Sequence, residues 1–147
     1  MQIKGKKKLI VCSLIIIGIF LLDRLTKIYV LNLAETNNTV DIFLTTFLNI
    51  YLVWNKGIAF GLLNFDYSVI YNLITSIIAL ISLVILVMII KMKDIRIYFL
   101  SFIFAGAIGN LFDRLYYTAV PDFIDLHVNN FHWFVFNVAD TVSYTHL

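Results

Sequence analysis

The stretch GAIGNLFDRLYYTAVPDFIDLHVNNFHWFVFNVAD, from Gly106 to Asp140, sets Asn110, Asp113, Arg114, Asp122, Asp125, Asn137 and Asp140 in a chain otherwise rich in Ile, Leu, Val and Phe. A carboxylate at membrane depth is costly, so each of these acids marks a candidate functional site whose partner must be found. Two carboxylates within hydrogen-bond reach cannot both ionise cheaply; one keeps a proton while the other is a base. Such a pair can activate water and protonate a leaving amine, which hydrolyses a peptide bond without metal or covalent intermediate. Asp122 and Asp140 are the best candidates for a facing pair, one from a loop at the membrane edge and one from a helix. Pro121 biases Val120 to an extended conformation and stiffens the approach to Asp122. Three residues change the face in a strand, so Asp125 is expected to turn away from Asp122, toward water or a backbone cap.

The elements that must position these acids follow from composition. The 147 residues are 61% hydrophobic and 14% charged, with mean hydropathy +0.92. That is far above an ordinary soluble domain and gives a polytopic membrane protein of one compact domain. A formal charge of +2 lends no support to nucleic-acid binding. The lone Cys12 excludes an internal disulfide framework and is expected to pack as a small buried hydrophobe.

Four spans are expected, at residues 8–33, 67–90, 97–117 and 131–147, with extracytoplasmic segments at 34–66 and 118–131. The first begins after Lys4, Lys6, Lys7 and Lys8 and is retained, because no small-residue cleavage site follows its apolar run. Residues 34–66, with β-branched and aromatic residues punctuated by Asn55, Lys56, Gly57 and Gly61, favour short strands of a small sheet lying against the bilayer. Lys91, Lys93 and Arg96 join the N-terminal lysines on the cytoplasmic side by the positive-inside rule. The fourth span is incomplete, since the polar ending TVSYTHL follows Asp140 directly; a truncated or foreign C-terminus is expected.

This topology makes the polar residues converge. Asp23 and Asp113 each lie roughly 20–25 Å from the cytoplasmic start of their helices, and Asp140 about 13 Å from the outer start of its own, at a comparable depth. Asp23 and Lys27 are four apart on one helical face; the plain alternative is an interfacial ion pair with Lys27 snorkelling. Gly106, Asn110, Asp113 and Arg114 share a face of the third span, where Gly106 lets another helix come close and Asp113 with Arg114 could orient a neighbouring acid. Trp133, Asn137 and Asp140 share a face of the fourth. A competing structural reading makes all these acids a polar lock between helices, satisfied by Arg114 and Asn137.

The blocks LDRLTK at 22–27, WNKGIAFG at 54–61, GAIGNLFDR at 106–114, VPDFID at 120–125 and FNVAD at 136–140 resemble, in order, those of the lipoprotein signal peptidase (signal peptidase II) family of bacterial integral-membrane aspartic proteases. The resemblance runs from about Leu21 to Asp140. It implies an all-α bundle of four transmembrane helices with a small extracytoplasmic β-sheet, an aspartyl endopeptidase, and the catalytic dyad at Asp122 and Asp140. It implies that Asp23, Lys27, Asn55, Gly106, Asn110, Asp113, Arg114 and Asn137 support the site or contact substrate. The implied substrate is a diacylglyceryl-modified prolipoprotein cut on the amino side of its lipidated cysteine, and the implied inhibitor is of the globomycin type. The implied place is the bacterial cytoplasmic (inner) membrane, with a cytoplasmic N-terminus, the active site toward the outer face, and a monomeric chain among lipids. The chain departs from the family at Pro121, where a small apolar residue is common, and after Asp140.

Phe43, Phe47, Trp54, Phe60, Phe65 and Phe123 are candidates to line a lipid and peptide entrance, with interfacial packing as the plainer reading. His127 and His132, five apart, share no helical face and are read as loop residues, so neither a metal nor another cofactor is expected. The rival function is a non-enzymatic channel or transporter subunit whose carboxylates line an ion path. Against it, the charges gather at one depth and no span is broken in mid-membrane by Gly or Pro.

Overall fold

The computed structural model describes residues 5–57, 67–129 and 131–144. Four helices and four strands alternate as α1 (Gly5–Asn37), β1 (Asp41–Thr45), β2 (Leu48–Asn55), α2 (Tyr67–Lys91), α3 (Arg96–Tyr117), β3 (Val120–Val128), β4 (Phe131–Phe136) and α4 (Val138–Tyr144). Among the described residues, two helical stretches are long and apolar enough to cross a bilayer, Lys6–Asn37 and Ser68–Lys91. Their outer faces carry Leu14, Ile17, Leu21 and Leu25 on α1 and Leu73, Ile77, Leu80 and Val84 on α2, all exposed. An apolar girdle of that extent is stable only against lipid or another apolar surface.

α3 is the hub: it packs against α1, α2 and α4. At one end, Cys12 of α1, Ile89 of α2 and Ile97 of α3 form a buried cluster. There Lys8 is not solvated but donates to the carbonyls of Ile90 and Met92, capping the last turn of α2. At the other end, Val30, Val40 and Phe123 join α1 to the sheet. Phe123 is thus core rather than part of an entrance. Phe43, Phe47 and Trp54 stay exposed on the sheet, and Trp54 leans on Tyr117 with ring centroids 5.6 Å apart. Phe60, Gly61 and Phe65 lie outside the described residues.

The sheet is an antiparallel meander in the order β1-β2-β3-β4, so the segment 118–131, expected as a loop, supplies β3, one of its two inner strands. Pro121 stands at the second position of β3, paired with Trp54 of β2 and ahead of the first pairing with β4 at Ile124. Register shifts flank both acids of this strand. Ile50 pairs with Ile124 but Val53 with Asp122, and Asp125 pairs with Val135 but His127 with His132. Each shift sets two residues against one and turns the partner strand locally.

One expectation is overturned here. Residues 131–136 do not open the fourth span; they form β4, and α4 begins at Val138. The run FHWFVF is aromatic and β-branched, and pairing with β3 satisfies its backbone. Trp133 therefore shares no helical face with Asn137 and Asp140, and Asp140 stands in the first turn of α4.

Candidate active site

The cation and acid blocks of α1 and α3 meet in the core. Lys27 is fully buried, and its ammonium donates to Asp23 Oδ2 at 2.9 Å, Asn110 Oδ1 at 3.0 Å and Asp113 Oδ2 at 2.6 Å, which uses all three of its protons. It does not snorkel. Arg24 adds contacts to Asp23 at 2.9 Å and Asp113 at 2.5 Å. Two acids and two cations, all nearly excluded from solvent, form a quartet of zero net charge. Arg24 is the member that sequence reasoning passed over; its position one residue from Asp23 and three from Lys27 was the available signal.

This quartet is the polar lock between helices, and Asp122 and Asp140 stand outside it. Asp23 extends the lock to α4 by accepting from the backbone N–H of Ala139 at 3.1 Å. Gly106 completes the approach, since a Cβ there would collide with the Ala139 carbonyl and Ser143 Oγ. The helix that Gly106 admits is therefore α4.

Asp140 is placed by a reciprocal cap. Asn137, at the N-cap of α4, accepts from the Asp140 N–H at 3.0 Å, and the Asn137 N–H donates back to Asp140 Oδ2 at 3.3 Å. This is a capping box built from Asn and Asp. Asn110 of α3 donates to the other oxygen, Oδ1, at 2.8 Å. Because Asn110 Oδ1 accepts from Lys27, the buried charge fixes which way that amide faces.

Asp122 is 2% exposed and accepts from two amides, Asn137 Nδ2 at 2.6 Å on Oδ1 and Asn55 Nδ2 at 2.8 Å on Oδ2. Asn55 is oriented in turn by accepting from the Gly57 N–H at 2.7 Å. Gly57 has φ 74°, and a Cβ there would press within 3.0 Å of the Arg114 guanidinium. Burial raises the Asp122 carboxyl to about 6, helped by the nearby Asp140 charge and opposed by the two amide donors.

Asp122, Asp140, Asn55, Asn110 and Arg114 line one cavity of about 230 Å³, together with Phe134 and Phe136. Asn137 bridges the two acids, through its side-chain amide to Asp122 and its backbone N–H to Asp140. Arg114 Nε and Nη1 are buried and find no acceptor among the described residues, and the guanidinium lies 5.7 Å from the Tyr71 ring centroid. Arg114 is thus no partner of Asp113, which faces α1.

Asp125 turns away from Asp122, as strand parity requires, but it does not meet water. It is 2% exposed, and both its oxygens face the His132 ring, at 2.8 and 3.1 Å. His127 stands 3.7 Å away on the same strand. The two histidines are paired residues of β3 and β4, not loop residues. They escaped notice because their spacing was read with a helical period.

The comparisons with known proteins agree with this geometry. The model of the family described as signal peptidase (SPase) II matches residues 15–144. A lipoprotein signal peptidase of Pelagibacter ubique is 59% identical over 126 residues, 86% of this chain and 76% of its own length. One from Aquifex aeolicus is 41% identical over 128 residues, 86% of this chain and 74% of its own. Two structures of a bacterial membrane enzyme, solved by the in meso method at 1.9 and 2.3 Å resolution, each cover 92% of this chain. They superpose with TM-scores of 0.72 and 0.70 at 28% and 27% identity, over 86% and 82% of their own lengths. With the fold, the five sequence blocks and these relatives in accord, the chain belongs to the signal peptidase II family of membrane proteases.

Proposed function

We propose that the chain is an aspartic endopeptidase that cuts diacylglyceryl-modified prolipoproteins on the amino side of the lipidated cysteine, with Asp122 and Asp140 as its dyad. The supporting observation is one of charge. The cations Arg24 and Lys27 are balanced by Asp23 and Asp113, which leaves Asp122 and Asp140 facing a cavity whose other charged group, among the described residues, is Arg114. That cavity is neutral when the pair holds a single proton, the state in which one carboxyl is an acid and the other a base.

In this reading the ionised member takes a proton from water as the water oxygen attacks the scissile carbonyl carbon. The protonated member then delivers its proton to the leaving amine as the C–N bond breaks. The proton belongs to the pair and not to either residue. Asn110, Asn137 and Asn55 hold the oxygens of the acids, and Arg114, with spare donors at the cavity, binds a substrate carbonyl. Asp23, Lys27, Asp113 and Gly106 act at one remove, by fixing α1, α3 and α4.

Four membrane spans are part of the proposal: α1, α2, α3 and a fourth that starts with α4. The N-terminal lysines and the Lys91–Arg96 turn face the cytoplasm and the sheet faces out, which sets the cavity at the outer leaflet of a bacterial inner membrane. A diacylglyceryl chain can then stay in lipid while the peptide enters from the side of the sheet. A globomycin-type cyclic peptide would compete for the same cavity, and the chain works as a monomer. The channel or transporter reading is disfavoured because Asp23, Arg24, Lys27 and Asp113 pair their charges with one another in the core.

The test is cleavage of a purified lipidated substrate by Asp122→Asn and Asp140→Asn variants. Each is expected to lose on the order of 10²–10⁴-fold in rate, the typical worth of general acid–base catalysis, while remaining folded at the assay temperature. Cleavage retained by both variants would overturn the dyad.

A further inference from the structure

We propose that Asp125, His127 and His132 form a binding site for a divalent ion of the zinc class that braces β3 against β4. The site lies on the opposite face of β3 from Asp122 and takes no part in the proteolysis. The potential ligand atoms of the three residues all lie within 4.8 Å of one another. Zinc with bonds of about 2.0–2.2 Å at tetrahedral angles holds its ligands roughly 3.3 Å apart, so contacts of 2.8 and 3.7 Å from Asp125 Oδ2 to the two rings bracket that spacing.

Two further observations point to a ligand rather than to a closed hydrogen-bond set. The His127 side chain is only 9% exposed, and its Nδ1 makes no hydrogen bond among the described residues although it lies beside a carboxylate. An imidazole nitrogen buried without a partner is costly, and metal ligation answers it. Asn49 pairs with Asp125 across β2 and β3, and its Oδ1 is also buried without a partner among the described residues. Asn49, Asp125 and His132 line a cavity of about 360 Å³ together with Asp41. Two imidazoles and a carboxylate, with a further oxygen donor at hand, suit zinc. The Asp41 carboxylate on the same wall brings the charge of a dication and Asp125 to balance.

The fold explains what such a brace would do. The ladder shifts between Asp125 and His127, so the pairing of the hairpin is interrupted next to the cluster. Three residues before Asp125 stands Asp122, and five after His132 stands Asn137.

The test is a zinc titration of tag-free protein in detergent at pH 7.5, stripped with a chelator and read by competition with a chromophoric chelator. One equivalent of ZnCl₂ is expected to bind and to raise the unfolding temperature, as any ligand of the folded state does. His127→Ala and His132→Gln are each expected to weaken binding at least tenfold, and His146→Ala to leave it unchanged. Gln at 132 can still hydrogen-bond to Asp125, so its loss of zinc binding separates ligation from a mere hydrogen-bonded pair. Visible d–d bands of the Co²⁺-loaded wild type give a second readout that needs no variant. Absence of one-to-one binding, or binding indifferent to both substitutions, would overturn the proposal.

Discussion

The side-chain amide of Asn137 donates to Asp122 Oδ1 at 2.6 Å, which ties the cap of α4 to the middle of the sheet. The same residue also holds Asp140 through the reciprocal cap. Asn137→Ala should therefore disturb both acids at once. The lost cap costs about 1 kcal/mol, and a buried acceptor left unpaired costs about 1–3 kcal/mol more. The turnover rate should fall by more than the loss of folded protein explains, which a comparison of kcat with the folded fraction checks.

Asp122 gives the enzyme a signed pH dependence. Its carboxyl, raised to about 6 by burial, holds a proton more tightly in the folded chain than in the unfolded one. Stability from this group is present at low pH and is lost as pH rises from about 4 through 6. Melting curves of wild type and Asp122→Asn across that range should converge at the acid end and separate above it, with the variant the more stable. If Asp122 and Asp140 are the proposed dyad, kcat/KM should show an alkaline limb. Asn55→Ala removes a donor that lowers the Asp122 value, so that limb should move to higher pH.

Lys27 neutralises two buried acids, and its removal leaves one of them unpaired. Lys27→Met should destabilise the fold by about 3–5 kcal/mol, the usual cost of breaking a buried pair. Adding Asp113→Asn should recover part of that loss, because the remaining Asp23 and Arg24 then balance. Unfolding of the two single variants and the double variant forms a cycle, and simple additivity would speak against the quartet.

Gly106→Ala should act on Asp140 through α4. The new methyl meets the Ala139 carbonyl as well as Ser143 Oγ, and overpacking of this kind costs about 1–3 kcal/mol. Ser143→Ala removes only the hydroxyl, so the double variant should stay impaired in cleavage assays. Full rescue would mean that the backbone contact is not the obstacle.

Much of this protein is written locally. The apolar runs fix α1 and α2, because a segment of about 20 apolar residues can satisfy its backbone in lipid only as a helix. The pairing of Asp23 with Lys27, the closeness permitted by Gly106 and the candidacy of Asp122 and Asp140 are equally legible, each resting on a residue type or a helical spacing. Even the cap at Asn137 had a local sign, an Asn three residues before an acid. The sequence also misled locally. The apolar FHWFVF resembled the start of a span, and only a partner strand, distant in the chain, makes it β4.

Tertiary structure decided what no spacing could. Which acids are neutralised by a buried cation and which stand apart from one depends on Arg24 and Lys27 of α1 reaching Asp113, about ninety positions along the chain. Strand register brought His132 beside Asp125 and His127. Charge balance and ladder register are sums over neighbours in space, so they exist only once the chain has folded.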